Sequence, residues 1–245
     1  MRILILSDIH GNLEALQAIM REVEYQEVIV LGDLVGYGAS PNEVIDMVRQ
    51  LNPQAQVRGN HDKVAAGITE GKDFNATALE AIRWTQSRLT EENRAYLVTL
   101  PIGPVEYRDS ITLSHGSPKD EEEYIFQEWI ALRSFQYFNT PVCFYGHSHV
   151  PMVIGLGTGD DLEVRLPKGP ENCCLTFENQ YRYLINPGSV GQPRDNDPRA
   201  CAAVFDQEKN QIEYIRVDYD IAAAQDKIIK AGLPGYLADR IAAGR

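Results

Sequence analysis

Short apolar runs alternate with segments of helical period from the first residues of the chain. Arg2 to Ser7 is an Ile/Leu run, the mark of a strand buried on both faces, and Asn12 to Val23 then sets Leu13, Leu16, Ile19 and Met20 on one helical stripe. Val28 to Leu31 predicts a second strand, Pro41 to Leu51 a helix with proline at its start, and Gln54 to Arg58 a third strand. Each strand ends in a polar cluster: Asp8 to Gly11, Gly32-Asp33 and Gly59-Asn60. From Asn75 to Leu100 the pattern is helical, and residues 64–100 are expected to form a helical insertion over those strand ends.

A second, strand-rich half follows. Strands are predicted at Ile111 to Ser114, Val142 to Tyr145, Met152 to Leu156, Leu162 to Leu166, Tyr181 to Ile185, Ala202 to Phe205 and Gln211 to Val217, with one helix around Gln127 to Phe138. Ile221 to Ala231 and Tyr236 to Ala243 read as two helices separated by Gly232 to Gly235. The class is α/β, and open sheets of this class gather ligands where strand-end loops converge. No long repeat, low-complexity tract or linker divides residues 1–245, so a single domain is expected.

Composition narrows the function. A hydrophobic content of 44% fills a sizeable core, while 35 acidic against 23 basic residues, net −12, argue against binding to polymeric nucleic acid. The apolar run before Asp8 is too short for a signal peptide or a membrane span, which places the chain in the cytoplasm. Cys173 and Cys174 are adjacent, Cys143 and Cys201 isolated, and no C-x-x-C spacing occurs, so neither a disulfide framework nor a thiolate zinc site is expected. Oligomeric state is not legible.

The candidate chemistry lies in the five histidines, every one of which sits in a strand-end motif. Asp8-Ile9-His10 alternates on an extended segment, so that an anionic oxygen and an imidazole face one way. Asp33 ends the second strand, where a carboxylate can bridge two cations with its two oxygens. Gly59-Asn60-His61-Asp62 joins a carboxamide oxygen to a histidine with a carboxylate beside it, and His61 is placed to protonate or stabilise a departing oxygen. Ser114-His115-Gly116 and Gly146-His147-Ser148-His149 end two further strands, the second with two same-facing imidazoles. Alone, each motif is an ordinary loop; together they describe an oxygen-and-nitrogen metal site with hydrolytic chemistry. The acidic run Asp120-Glu121-Glu122-Glu123 reads as a solvated face.

This ordered series resembles the calcineurin-like metallophosphoesterase superfamily over most of the chain. Asn186-Pro187-Gly188-Ser189-Val190-Gly191-Gln192-Pro193-Arg194 and Gly36-Tyr37-Gly38 are similar to its small prokaryotic phosphodiesterase-like members, often named by analogy to diadenosine tetraphosphatases. The resemblance implies a sandwich of two mixed β-sheets flanked by helices, holding two divalent metals, Mn, Fe, Ni or Zn. It implies Asp8, His10 and His149 on the first metal, Asn60, His115 and His147 on the second, Asp33 between them, and His61 as a catalytic residue that binds neither. The function implied is hydrolysis of a small phosphodiester, phosphomonoester or nucleotide polyphosphate by metal-activated water. The alternative is a binding or scaffold protein on the same fold. Gly36 and Tyr37 stand where the protein Ser/Thr phosphatases carry an Asp-Arg pair, which leaves Asp62 as the nearest group to orient His61. Tyr37 and Arg194 are the candidate substrate contacts, a solvated loop arginine being the other reading of Arg194. How the insertion and the loop Ser117 to Phe126 frame the metals sets substrate choice.

Overall fold

The computed structural model describes residues 1–159, 161–167 and 173–245. The N-terminal half runs β1 (Arg2–Leu6), α1 (Leu13–Glu22), β2 (Glu27–Val30), α2 (Pro41–Leu51), β3 (Ala55–Gln56), α3 (Asn60–Ala65), α4 (Ala76–Arg88) and α5 (Glu91–Thr99). The strand-rich half follows as β4 (Val105–Tyr107), β5 (Ile111–Leu113), α6 (Glu128–Ser134), β6 (Val142–Phe144), β7 (Met152–Gly157) and β8 (Leu162–Arg165). It closes with β9 (Cys173–Thr176), β10 (Tyr181–Asn186), β11 (Ala200–Asp206), β12 (Gln211–Val217), α7 (Ile221–Lys230) and α8 (Gly235–Ala243).

These strands form two six-stranded mixed sheets, ordered β3-β2-β1-β11-β12-β9 and β4-β5-β6-β10-β7-β8. In the first, β1, β2 and β3 run parallel while β11 is antiparallel to β1; in the second, β5, β6 and β10 are parallel. The period of two in β1 explains its unbroken apolar run. Ile3 and Ile5 enter the layer between the sheets with Phe144, Ile185 and Phe205, while Leu4 and Leu6 pack beneath α1 and α2 with Leu16, Ile19, Val44 and Ile45. Burying each such side chain contributes roughly 1.5–3 kcal/mol. The outer face of the second sheet is covered by α6, through Ile130, Phe135 and Phe138 against Tyr145 and Leu184.

Several elements depart from the expectations of sequence. β3 is only two residues long, because Arg58 N–H leaves the ladder for the Pro101 carbonyl (2.9 Å). Short β4 pairs with β5, and β9 pairs with β12; neither was anticipated, since neither carries an aliphatic alternation, and pairing with a longer neighbour makes the strand. α6 ends at Ser134, whose hydroxyl donates to Ile130 O (2.8 Å), and the expected helical tail to Phe138 turns into the core instead. α4 and α5 make up most of the expected helical segment over 64–100.

Candidate metal centre

Parallel β1, β2, β5 and β6 all end at the same edge of the sandwich, so the loops after them meet. Six non-glycine residues there have left-handed backbone: Asp8, His10, Asp33, Tyr37, His147 and His149, with φ between 50 and 67°. Such conformations cost of order 1–3 kcal/mol each and persist only where surrounding contacts hold them. Asp8 is held by the 186–194 loop, in which Gly191 N–H and the Ser189 hydroxyl both donate to its carbonyl (3.0 and 2.8 Å). Asn12 caps α1 through Ala15 N–H (3.1 Å) and donates to Gly191 O (2.9 Å), which joins the two loops. The extended segment expected at Asp8-Ile9-His10 is therefore absent: both residues are left-handed, and the turn brings their side chains together.

Asp8, His10, Asp33 and His149 form one buried group with one ligand atom from each lying within 4.8 Å of the others, and Asp33, His115 and His147 form a second. Asp33 belongs to both. Its Oδ1 accepts from His61 N–H (2.8 Å), so it is the single oxygen Oδ2 that faces both groups, at 3.5 Å from His10 Nε2 and 3.4 Å from His115 Nε2. Asn60 Oδ1 sits 3.2 Å from His115 Nε2, beside the second group. His147 and His149, expected to face one way, are divided between the groups.

The tautomers follow from the outer hydrogen bonds, because a carbonyl can only accept. Nδ1–H of His10 donates to Val35 O (3.1 Å), that of His115 to Leu31 O (2.8 Å) and that of His149 to Gln192 O (2.6 Å). Neutral, His10 and His149 turn their Nε2 lone pairs inward, 3.1 Å apart beside Asp8 Oδ1, while His115 Nε2 faces Asp33 Oδ2. His147 is the reverse, with Nε2–H donating to Glu122 O (3.1 Å) and Nδ1 left as the ligand atom. Buried carboxylate oxygens and imidazole nitrogens turned toward one another from separate loops are a donor set that a cation fits.

The electrostatics agree. Burial holds His10 and His149 well below the usual imidazole range and His147 at about 3, so these three stay neutral. Burial also pushes His115 down, but Asp33 and Asp8 outweigh it and raise it to about 10. Asp8 is pushed up to about 6 by burial, against the pull of His115. The two carboxylates thus favour positive charge at this point.

His61 is buried beside the second group without joining it. Its ring packs between Tyr37 (4.5 Å between centroids), Phe74 (4.6 Å) and His10 (4.9 Å), and its Nδ1 has no hydrogen-bond partner among the described residues. Asp62 does not orient it. The Asp62 carboxylate accepts from Leu34 N–H (2.8 Å), Val35 N–H (3.3 Å) and Gly59 N–H (3.0 Å), clasping the loop after β2 to the start of α3. The ring is positioned by aromatic packing, and Gly36, at φ +91°, leaves the room it needs: a Cβ there would overlap His61 Nδ1. Gly36→Ala is expected to displace the His61 ring and to destabilise the fold by about 1–3 kcal/mol, read from the thermal midpoint.

A cavity of ≈ 220 Å³ opens above His61, Asn60 and His147, walled by Tyr37, Phe74 and Tyr124. Phe74 and Tyr124 had no signal in the sequence, since lone aromatics in polar loops carry no pattern. The acidic run is likewise not a solvated face. Glu121 accepts from Arg58 Nε (3.0 Å) and Nη2 (2.9 Å) and pairs with Lys63 (2.9 Å), Glu123 pairs with Arg133, and the Glu122 carbonyl sets the His147 tautomer. The run fastens the 117–126 loop to α3, and Tyr124 stacks on His147 (3.8 Å between centroids). Of the expected substrate contacts, Tyr37 lines the cavity, and Arg194 lies with its guanidinium 5.8 Å from the Tyr37 ring centroid.

Comparison with known proteins places the chain in a family. The family model described as the calcineurin-like phosphoesterase superfamily domain matches residues 1–210. The chain is 38% identical over 250 residues to an uncharacterized protein of Methanocaldococcus jannaschii, covering 99% of this chain and 98% of that one. It is 29% identical over 116 residues to a symmetrical bis(5'-nucleosyl)-tetraphosphatase of Baumannia cicadellinicola subsp. Homalodisca coagulata, covering 45% and 40% of the two chains. Among solved structures, a metallophosphoesterase from Sphaerobacter thermophilus superposes with TM-score 0.89 at 40% identity, covering 100% of this chain and 99% of that one. A protein from Pyrococcus horikoshii OT3 shares the fold, with TM-score 0.78 at 21% identity over 100% and 98% of the chains.

Proposed function

Because this chain belongs to the calcineurin-like phosphoesterase superfamily, we propose that it hydrolyses a small phosphoester at a centre for two divalent ions. One ion is assigned to Asp8, His10 and His149, the other to Asn60, His115 and His147, and Asp33 to both. The observation that carries this reading is the position of Asp33 Oδ2 between two buried groups of carboxylate and imidazole ligand atoms. Divalent ions bound there would polarise the phosphoester and lower the pKa of water from about 15.7 toward 7.

The protein's own groups supply the rest. Burial pushes His61 down to about 4, so the ring is neutral near pH 7. With no acceptor at Nδ1, the proton belongs on Nε2, which makes the ring a donor for the leaving oxygen of an ester held in the cavity. Tyr37, Phe74 and Tyr124 wall the cavity that holds this donor and limit it to a small substrate. An intact His61 in this position favours the enzyme over a scaffold on the same fold.

The test is turnover of bis(p-nitrophenyl) phosphate and p-nitrophenyl phosphate by protein reconstituted in turn with Mn²⁺, Fe²⁺, Ni²⁺ and Zn²⁺. Metal bound without hydrolysis of either ester would sink the reading. Metal affinity itself is expected to depend on pH. His115 keeps a proton below about 10, which an incoming ion must displace, so affinity rises with pH, by about tenfold per unit for one proton released. Below about 6 Asp8 is protonated as well, and the dependence steepens. Calorimetric titration between pH 5 and 9 in buffers of different ionisation enthalpy reads both the affinity and the released proton.

A further inference from the structure

The 117–126 loop starts just after His115 and is joined to every element that carries the second ligand group. At its start Gly146 N–H donates to His115 O (2.7 Å), which ties the end of β5 to the segment before His147. The loop then folds back on itself: Ser117 N–H donates to Glu123 O (3.0 Å), and Ser114 Oγ donates to Ser117 O (2.9 Å). Gly116 allows that return, because a Cβ there would lie 2.7 Å from the Asp120 and Glu121 carbonyl oxygens.

Two sets of contacts reach out from this turn. Glu121 accepts from Arg58 Nε and Nη2 (3.0 and 2.9 Å), and Lys63 closes on the same carboxylate (2.9 Å) and on Glu122. Arg58 and Lys63 bracket Asn60 and His61 in sequence, so Glu121 grips the segment that presents the Asn60 oxygen. On the other side, the Glu122 carbonyl accepts from His147 Nε2–H (3.1 Å), and the Tyr124 ring stacks on the same imidazole (3.8 Å between centroids). One loop therefore connects Asn60, His115 and His147.

Its hold is not that of a surface ion pair. The Arg58 and Glu121 side chains are each 10% exposed, and the two N–H···O bonds of the fork fix the carboxylate in one orientation, whereas solvated pairs such as Arg49–Glu92 are screened and hold little. The first ligand group is held by other segments. Asp8 Oδ2 accepts from Ser7 Oγ (2.7 Å), His10 pairs with Val35 O, and His149 pairs with Gln192 O.

We propose that Glu121 is a positioning residue for the second ion: with Arg58 and Lys63 it locks the loop whose Glu122 carbonyl and Tyr124 ring keep His147 in the tautomer and orientation that present Nδ1 to the second group. The inference rests on the metal-centre reading, which supplies the ion. Glu121 itself offers no ligand atom to either group and does not line the substrate cavity.

Glu121→Gln tests this, since it keeps the shape of the side chain and removes its charge. Titration with Zn²⁺ against a competing chelator, followed by imidazole ¹⁵N shifts, reads the two groups separately, His10 and His149 for the first ion and His147 for the second. The second ion is expected to weaken by roughly tenfold or more and the first to be unaltered, as loss of a group that orients a ligand commonly costs. In the metal-free protein at neutral pH, the His147 shifts are expected to place the proton on Nε2 in the wild type and to divide it between Nε2 and Nδ1 in the variant. Arg58→Lys, which keeps the charge and gives up the fork, is expected to show the same pattern to a smaller degree, and it carries the test where Glu121→Gln does not fold. Both ions weakened alike would show a general loosening and overturn the proposal, as would a folded variant with an unchanged second-ion affinity or an unchanged His147 tautomer. A wild type that binds no second ion defeats the metal-centre reading, and the His147 shifts of the metal-free protein then decide the clamp by themselves.

Discussion

His61→Ala is expected to lower kcat by about 10²–10⁴-fold while both metal ions stay bound. The ring contributes no atom to either ligand group, and its surroundings are Tyr37, Phe74 and His10. Its backbone N–H donates to Asp33 Oδ1 and survives the substitution, so the shared carboxylate keeps its position. Steady-state kinetics with metal analysis of the same sample decides the matter. An empty site in His61→Ala would show that the ring holds metal and would overturn the division of the five histidines. A leaving group of lower pKa carries less charge on its oxygen and needs less help from a hydrogen-bond donor, so the loss is expected to shrink from p-nitrophenyl to 2,4-dinitrophenyl esters.

Asp33→Asn is the second large effect. The carboxamide oxygen can still accept from His61 N–H, but the negative oxygen between His10 and His115 is lost. Metal content is expected to fall below one ion per chain, and turnover to drop by roughly 10³-fold or more, since both ions rely on this charge. The same substitution removes what holds His115 at about 10 in the metal-free protein, so its imidazole is expected to return to the ordinary range or below. Metal analysis and an NMR titration of His115 read the two consequences. A variant that keeps two tightly bound ions would show that Asp33 is not shared.

Much of this site was legible in the sequence because its parts are local. A short apolar run that ends in Asp8, Asp33, His115 or His147 is a strand delivering a polar side chain, and that pattern needs no distant residue to be recognised. The helices α7 and α8 were equally visible from their apolar spacing on either side of Gly232. Other features were misread for a common reason. Asp62 beside His61 looked like its orienting group, but its partners are the amides of Leu34, Val35 and Gly59, and adjacency in sequence does not place a carboxylate on a ring. Glu121 to Glu123 looked solvated until Arg58, Lys63 and Arg133 arrived from other elements.

The sequence by itself determined which residues end the strands, that those residues are oxygen and nitrogen donors, and that apolar surface suffices to bury them. All of that is encoded in side-chain chemistry and in periods of two and 3.6 residues. Only the tertiary structure decided which oxygen of Asp33 faces both ligand groups and that aromatic rings position His61. These are relations between residues far apart in the chain, such as His10 and His149 with Nε2 atoms 3.1 Å apart, and no local pattern carries them. They arise when two sheets close on a shared apolar layer and parallel strands bring their loops to one edge, where backbone hydrogen bonds then select each tautomer and turn.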